Sequence, residues 1–162
     1  KTLDLLIAQY EDLRVQRLNM MKELRALSKT ERFAEPLRLL MTVPGIGQVS
    51  GLTILSEIDD IARFKDASHL ASYVGIVPMC YSSGEHDGTG NLTVRRHAQL
   101  RWLIVESAWI AVRKDPVLSA AYVEYCRKMK PSKAIIKIAR RIINRIYFVM
   151  KHQHPYVNCF VS

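Results

Sequence analysis

Cysteine is scarce in this chain of 162 residues: Cys80, Cys126 and Cys159 are odd in number, far apart and outside any C-x-x-C spacing. That pattern speaks against both a disulfide framework and a structural zinc site, and leaves three reduced thiols. Long apolar runs are missing too. No stretch approaches the roughly 18 consecutive apolar residues that mark a membrane span, and no basic-then-apolar leader opens the chain, so a soluble intracellular protein is expected. The chain begins at Lys1, which is compatible with a fragment of something longer. A Walker-type phosphate loop is absent, because Pro44-Gly45-Ile46-Gly47 lacks the following Gly-Lys-Ser/Thr. Histidines do not cluster: His152-Gln153-His154 has no third ligand nearby, His86-Asp87 offers one imidazole and one carboxylate, and His69 and His97 stand alone, so no metal site is expected. Asp59-Asp60 and Asp115, beside Pro116, need no more than turn or capping roles.

Acid is what the second part of the chain lacks. Residues 1–90 hold ten Lys/Arg and twelve Asp/Glu, whereas residues 91–162 hold fourteen Lys/Arg and three acids, a net +11. Between Arg127 and Lys151 there are nine basic residues and no acid. This is the electrostatic footprint of a polyanion binder, with a merely solvated helix face as the alternative.

What is present is mainly helical pattern. Leu3, Leu6, Tyr10, Leu13, Arg17, Met20, Leu24 and Leu27 step by three and four, which predicts a coiled-coil helix over residues 1–34. So narrow a seam needs a second copy of the chain or its own domain to pack against. Residues 35–162 are expected to form a compact helical domain. Its first helix, Leu37 to Val43, stops at Pro44-Gly45-Ile46-Gly47, and a second resumes over Val49 to Ile58. This resembles the hairpin of helix-hairpin-helix DNA-binding motifs, in which Gly45 and Gly47 would expose amides to a phosphate; a plain tight turn between packed helices is the alternative. Asp66 as N-cap and Gly75 as terminator bracket a short helix, Ala67 to Val74.

Ser82-Ser83-Gly84-Glu85-His86-Asp87-Gly88-Thr89-Gly90-Asn91 is the one long polar, glycine-rich run. It is expected as a loop displayed on a helical scaffold, where a serine could attack a phosphodiester or serve only as a linker. Helical spacing returns from Leu92 to Arg113, with Arg95, Arg96 and Arg101 near its start. Positive charge there opposes the helix dipole, and a phosphate backbone would compensate it. After Pro116, Leu118 to Met129 is expected as a helix, and Pro131-Ser132 opens the last one. On it Ile135, Ile138, Ala139, Ile142, Ile143, Ile146, Val149 and Met150 share one face, while Lys133, Lys137, Arg140, Asn144 and Lys151, with Arg141 at the edge, are left for a partner. No period-two alternation marks a sheet, although Tyr73 to Tyr81 allows a short extended stretch. The fold class is mainly α.

Read in order, Leu40-x-x-Val43-Pro44-Gly45-Ile46-Gly47, Leu55-x-Glu57-Ile58, Phe64-x-x-Ala67-x-x-Leu70-Ala71-x-Tyr73-x-Gly75-Ile76-x-Pro78 and Ser82-Ser83-Gly84 form one series. Over about Leu37 to Tyr156 it resembles the C-terminal transposase domain of insertion-sequence transposases that pair a DEDD-type, RuvC-like nuclease domain with a catalytic serine, a group including Piv-like DNA invertases and bridge-RNA-guided recombinases. The preceding heptads resemble the coiled coil that joins the two domains. The resemblance implies that Ser83, with Ser82 as fallback, is a nucleophile that forms a covalent phosphoserine link to DNA. It implies magnesium in an N-terminal nuclease domain to which no residue here corresponds, so that this chain would not cut DNA alone. Implied partners are DNA, a structured guide RNA in guided members, and a second copy through the coiled coil or a higher assembly, in the nucleoid of a prokaryotic cytoplasm. The residue-level alternative is a non-catalytic helical nucleic-acid-binding and dimerisation module. One departure is local: the family's basic-Gly-Asn-x-x-Leu-Arg is here Arg95-Arg96-His97-Ala98-Gln99-Leu100-Arg101, without Gly-Asn.

Overall fold

In the computed structural model the described residues are 1–83, 86–92 and 97–157, with 78–83 and 86–92 described as backbone alone. Helix α1 (Thr2–Leu27) is followed by α2 (Glu31–Leu40), α3 (Gln48–Ile58), a 3-10 turn (Ile61–Arg63), α4 (Ala67–Val74), strands β1 (Pro78–Ser83) and β2 (His86–Leu92), then α5 (Ala98–Lys114), α6 (Pro116–Lys128) and α7 (Pro131–His152). The mainly α class holds.

Helix α7 is the centre. Residues Ala134, Ile135, Ile138, Ala139, Ile142, Ile143, Ile146, Val149 and Met150 are buried, as the helical period requires, and α2, α4, α5, α6 and the 3-10 turn all touch the helix. Its N-cap is Lys130, with Pro131 in the first turn, rather than the Pro131-Ser132 pair. Helix α1 is the opposite case: none of its residues is buried, and Leu24 alone packs partly against the core. Helix α2 begins at Glu31, ahead of Leu37 where the helical pattern first reads, and holds Pro36 inside it.

Two expectations are corrected. The run Ser82–Asn91, expected as a loop, lies for the most part in a two-stranded antiparallel hairpin, in which Ser82 pairs with Asp87 and Ser83 with His86. Strand pairing is a backbone-to-backbone interaction, so a Gly- and Ser-rich segment of low strand propensity still forms it when a partner strand is adjacent. The helix expected from Leu92 begins instead at Ala98, and Leu92 belongs to β2.

The Pro44-Gly45-Ile46-Gly47 turn packs on α5. Gly45 has φ +89°, and a Cβ there would overlap the carbonyl oxygen of Ser107. Small residues on α5, Ser107, Ala108 and Ala111, are buried along this stretch. Glycine is thus required twice at position 45, for the left-handed backbone and for close approach of turn to helix. The other tertiary lock is charged. Buried Asp115 caps α6 through Val117 N–H (2.9 Å) and Leu118 N–H (3.3 Å), and its second oxygen accepts from Arg145 Nη1 at 2.7 Å. The Tyr156 ring lies 4.3 Å from that guanidinium, and the Tyr156 N–H donates to Thr42 Oγ1. A buried charge is tolerated because it is both paired and hydrogen-bonded.

Candidate functional site

The hairpin with Ser82 and Ser83 joins α4 to α5, and the elements flanking it are tied together. Asp66 caps α4, accepting from the N–H groups of Ser68 (2.7 Å) and His69 (2.9 Å), and Gly75 ends the helix at φ 81°. The backbone N–H of His69 and then its side chain hold the Asp66 carboxyl below its ordinary range. Five residues before β1, Tyr73 donates from its hydroxyl to the Glu57 carbonyl (3.3 Å). Its ring meets Phe64 edge-on, and the Arg63 guanidinium lies over both rings.

Five residues after β2, His97 supplies the N-cap of α5. Its Nδ1 accepts from Leu100 N–H at 3.2 Å, and its Nε2 lies 2.8 Å from Glu57 Oε2. An imidazole that accepts at Nδ1 carries its proton on Nε2, where the carboxylate receives it, and this network assigns the tautomer. Tyr73 packs against the imidazole at 5.8 Å. Glu57 of α3, Tyr73 of α4 and His97 of α5 therefore join three helices on both chain sides of the hairpin. His97 thus closes the start of α5 with its own side chain. His97 stands alone in the sequence, and the one signal of its partners is that Glu57 and Tyr73 belong to the same motif series.

The basic residues fall in separate places. Gly47 is exposed as N-cap of α3, where its N–H donates to Ser50 Oγ at 2.8 Å, whereas Gly45 is occupied in packing. Arg101 is half-buried in the opening turns of α5, and Arg95 and Arg96 lie outside the described residues. Lys133, Lys137, Arg140 and Arg141 share one face of α7. Arg140 donates to Ser68 Oγ at 2.9 Å, while Lys137 (5.0 Å) and Arg141 (5.4 Å) both lie over the ring of Tyr125. Lys137, Arg140 and Arg141 are thus held by neighbours rather than extended freely into water, which lowers the entropy a bound phosphate would have to overcome. Among the described residues no three His, Cys, Asp or Glu side chains converge as metal ligands, and no helix is long and apolar enough to cross a membrane.

The model of the transposase IS116/IS110/IS902 family matches residues 37–123, a span from α2 through the hairpin into α6. The chain is 29% identical over 134 residues to a 44.8 kDa insertion element IS116 protein of Streptomyces clavuligerus, covering 80% of this chain and 32% of that one. It is 27% identical over 92 residues to the transposase for insertion sequence element IS1111A of Coxiella burnetii, covering 57% and 24%. It is 29% identical over 121 residues to the pilin gene-inverting protein of Moraxella bovis, covering 73% and 38%. The chain thus spans well under half the length of each relative.

Proposed function

The chain belongs to the IS116/IS110/IS902 transposase family, and from that premise we propose that it is the part of a DNA transposase or recombinase that grips nucleic acid and supplies the serine nucleophile. The observation that carries this is the family match across residues 37–123, which includes Ser83 at the end of β1. In the proposed step the Ser83 oxygen forms a bond to a backbone phosphorus and loses its proton to a base. The phosphorus–oxygen bond to the neighbouring nucleotide breaks, and that oxygen leaves as a hydroxyl end, so the strand is held as a phosphoserine. Ser82 is the adjacent fallback. Arginines near the start of α5, Arg95, Arg96 and Arg101, would neutralise the charge that develops on the phosphate.

Magnesium would belong to a RuvC-like nuclease domain beyond these residues. Helix α1 would pair copies of the chain, and a structured RNA would be a second nucleic-acid partner in a guided member. Gly47 and the α7 cations Lys133, Lys137, Arg140 and Arg141 would contact backbone phosphates, positioning the nucleic acid without reading its sequence.

The test uses the full-length protein with its nuclease domain, magnesium and target DNA. Wild type is expected to give a covalent protein–DNA adduct and Ser83→Ala none. An undiminished adduct in Ser83→Ala would move the nucleophile, with Ser82→Ala tested next. No adduct from wild type, with binding retained, would favour a non-catalytic module.

A further inference from the structure

Phe148 is at odds with its surroundings. It lies on the solvent side of α7, 51% exposed, in a stretch of chain from Arg127 to Lys151 that holds nine basic residues and no acid. At about 100° per residue, Arg141, Asn144, Phe148 and Lys151 follow one another along the same face, opposite the buried isoleucines. One turn further on, His152 meets the ring at 4.6 Å and an interplanar angle of 42°. Nothing in the core uses this ring, and α7 already buries nine other residues.

The other exposed aromatics differ in the property that matters, Tyr10 standing beside Glu11 and Asp12 on α1. Trp102 and Trp109 share α5 with Glu106 and the exposed Ile110, and Tyr122 lies against Trp109. That surface is apolar and mixed in charge. Tyr125 is on the basic side, but Lys137 and Arg141 already cover its ring. Phe148 combines an exposed ring with a helix whose charged residues are all cations, which is the pairing that single-stranded nucleic acid requires: cations for the phosphates and a flat apolar face for a base.

We propose that Phe148, backed by His152 and flanked by Asn144 and Lys151, is a stacking platform for an unpaired nucleobase on a strand whose phosphates lie along Lys133, Lys137 and Arg141. The proposal rests on the nucleic-acid reading above and adds to it the kind of strand and the residue that selects it. A paired base in a duplex has no free face to offer, so the platform separates single strands from double ones, whereas the cations attract both.

The experiment measures binding of the chain to a short oligonucleotide carrying 2-aminopurine, as single-stranded DNA, as single-stranded RNA of the same sequence, and as duplex, over a salt series. Wild type is expected to quench the probe in the single strands. Phe148→Leu should lose the quench and about tenfold in single-strand affinity, change duplex affinity by less than about twofold, and leave the salt slope unchanged. Phe148→Trp should retain the preference. Replacing Lys133, Lys137 and Arg141 with Gln should flatten the slope for every strand. A larger effect on RNA than on DNA would identify the strand by its 2′-hydroxyls. If Phe148→Leu lowers single-strand and duplex affinity equally, or neither, the platform is wrong while nucleic-acid binding stands. If wild type binds nothing, both fail. If Phe148→Leu changes only the oligomeric state of the chain, the ring is a contact between copies and the platform is overturned. Thermal unfolding of each variant confirms that the half-exposed substitution leaves the fold intact.

Discussion

Helices α1 and α7 are the two longest elements, 26 and 22 residues, and both carry a regular apolar pattern, yet α7 buries nine residues and α1 none. Leu3, Leu6, Tyr10, Leu13 and Met20 stay more than half exposed along the heptad seam, while Ile138, Ile142 and Ile146 are enclosed. Their charges differ as well: α1 mixes both signs along its length, whereas α7 carries only cations. Periodicity therefore selects the face a helix will bury, but not what will bury it. An enclosed face is already satisfied within the chain. An open one with mixed charges suits another helix, and an enclosed one with a single-sign outer face leaves that outer face to a polyanion.

The sharpest way to test the contrast is to disturb the packed helical domain and leave α1 alone. Gly45→Ala combines backbone strain at φ +89° with overlap on Ser107 of α5, and should cost about 3–5 kcal/mol. Chemical denaturation would measure it, with exposed Gly47→Ala as the mild companion. Next in size, Ile142→Ala should cost about 2–5 kcal/mol through the cavity it leaves. Leu13→Ala in α1 should cost less than about 0.5 kcal/mol at high dilution, where any association is lost. A melting temperature that rises with protein concentration in wild type but not in Leu13→Ala would show that α1 finds its partner in a second copy. A concentration-independent loss equal to that of Ile142→Ala would break the comparison.

A smaller effect is expected at the closure of α5. His97→Ala should lower stability by about 1 kcal/mol, the ordinary worth of a helix cap, and His97→Asn should recover most of it if capping outweighs the contact with Glu57. The smallest expected effect lies at Asp66. Its carboxyl is held below the ordinary carboxylate range in the folded state, so the contribution is complete above that range and is lost as pH falls through the depressed value. Melting curves of wild type and Asp66→Asn between about pH 7 and 3 should therefore converge toward the acid end. A difference that stays constant across that range would assign the cap to geometry alone.

Short-range features were the legible ones. Asp66 before α4 and Gly75 after it mark both ends by contacts within a few residues, and the buried face of α7 follows from its period. The start of α2 was hidden because Pro36, a residue that usually opens helices, sits inside one. The hairpin was hidden because Ser82-Ser83 and His86-Asp87 carry no alternation of polarity, and the strands exist through the hydrogen bonds they offer each other. His97 gave no sign of a partner, since Glu57 is forty residues away in the chain. Of the proposed site, the serine and the α7 cations were visible in the sequence, but Phe148 was not: only exposure distinguishes a stacking surface from another core aromatic.

Composition, residue order and local period were enough to reach the family, the helical class, the excess of positive charge beyond residue 91 and the identities of the residues facing inward on α7. Tertiary structure decided that Gly45 serves a close approach to α5, that Arg145 is spent on buried Asp115 while Lys133, Lys137 and Arg141 remain on the surface, and that Glu57 and Tyr73 meet His97 beside the serine hairpin. Those outcomes require residues far apart in the chain to share one place, and the distance at which they meet is a property of packing that no local pattern encodes.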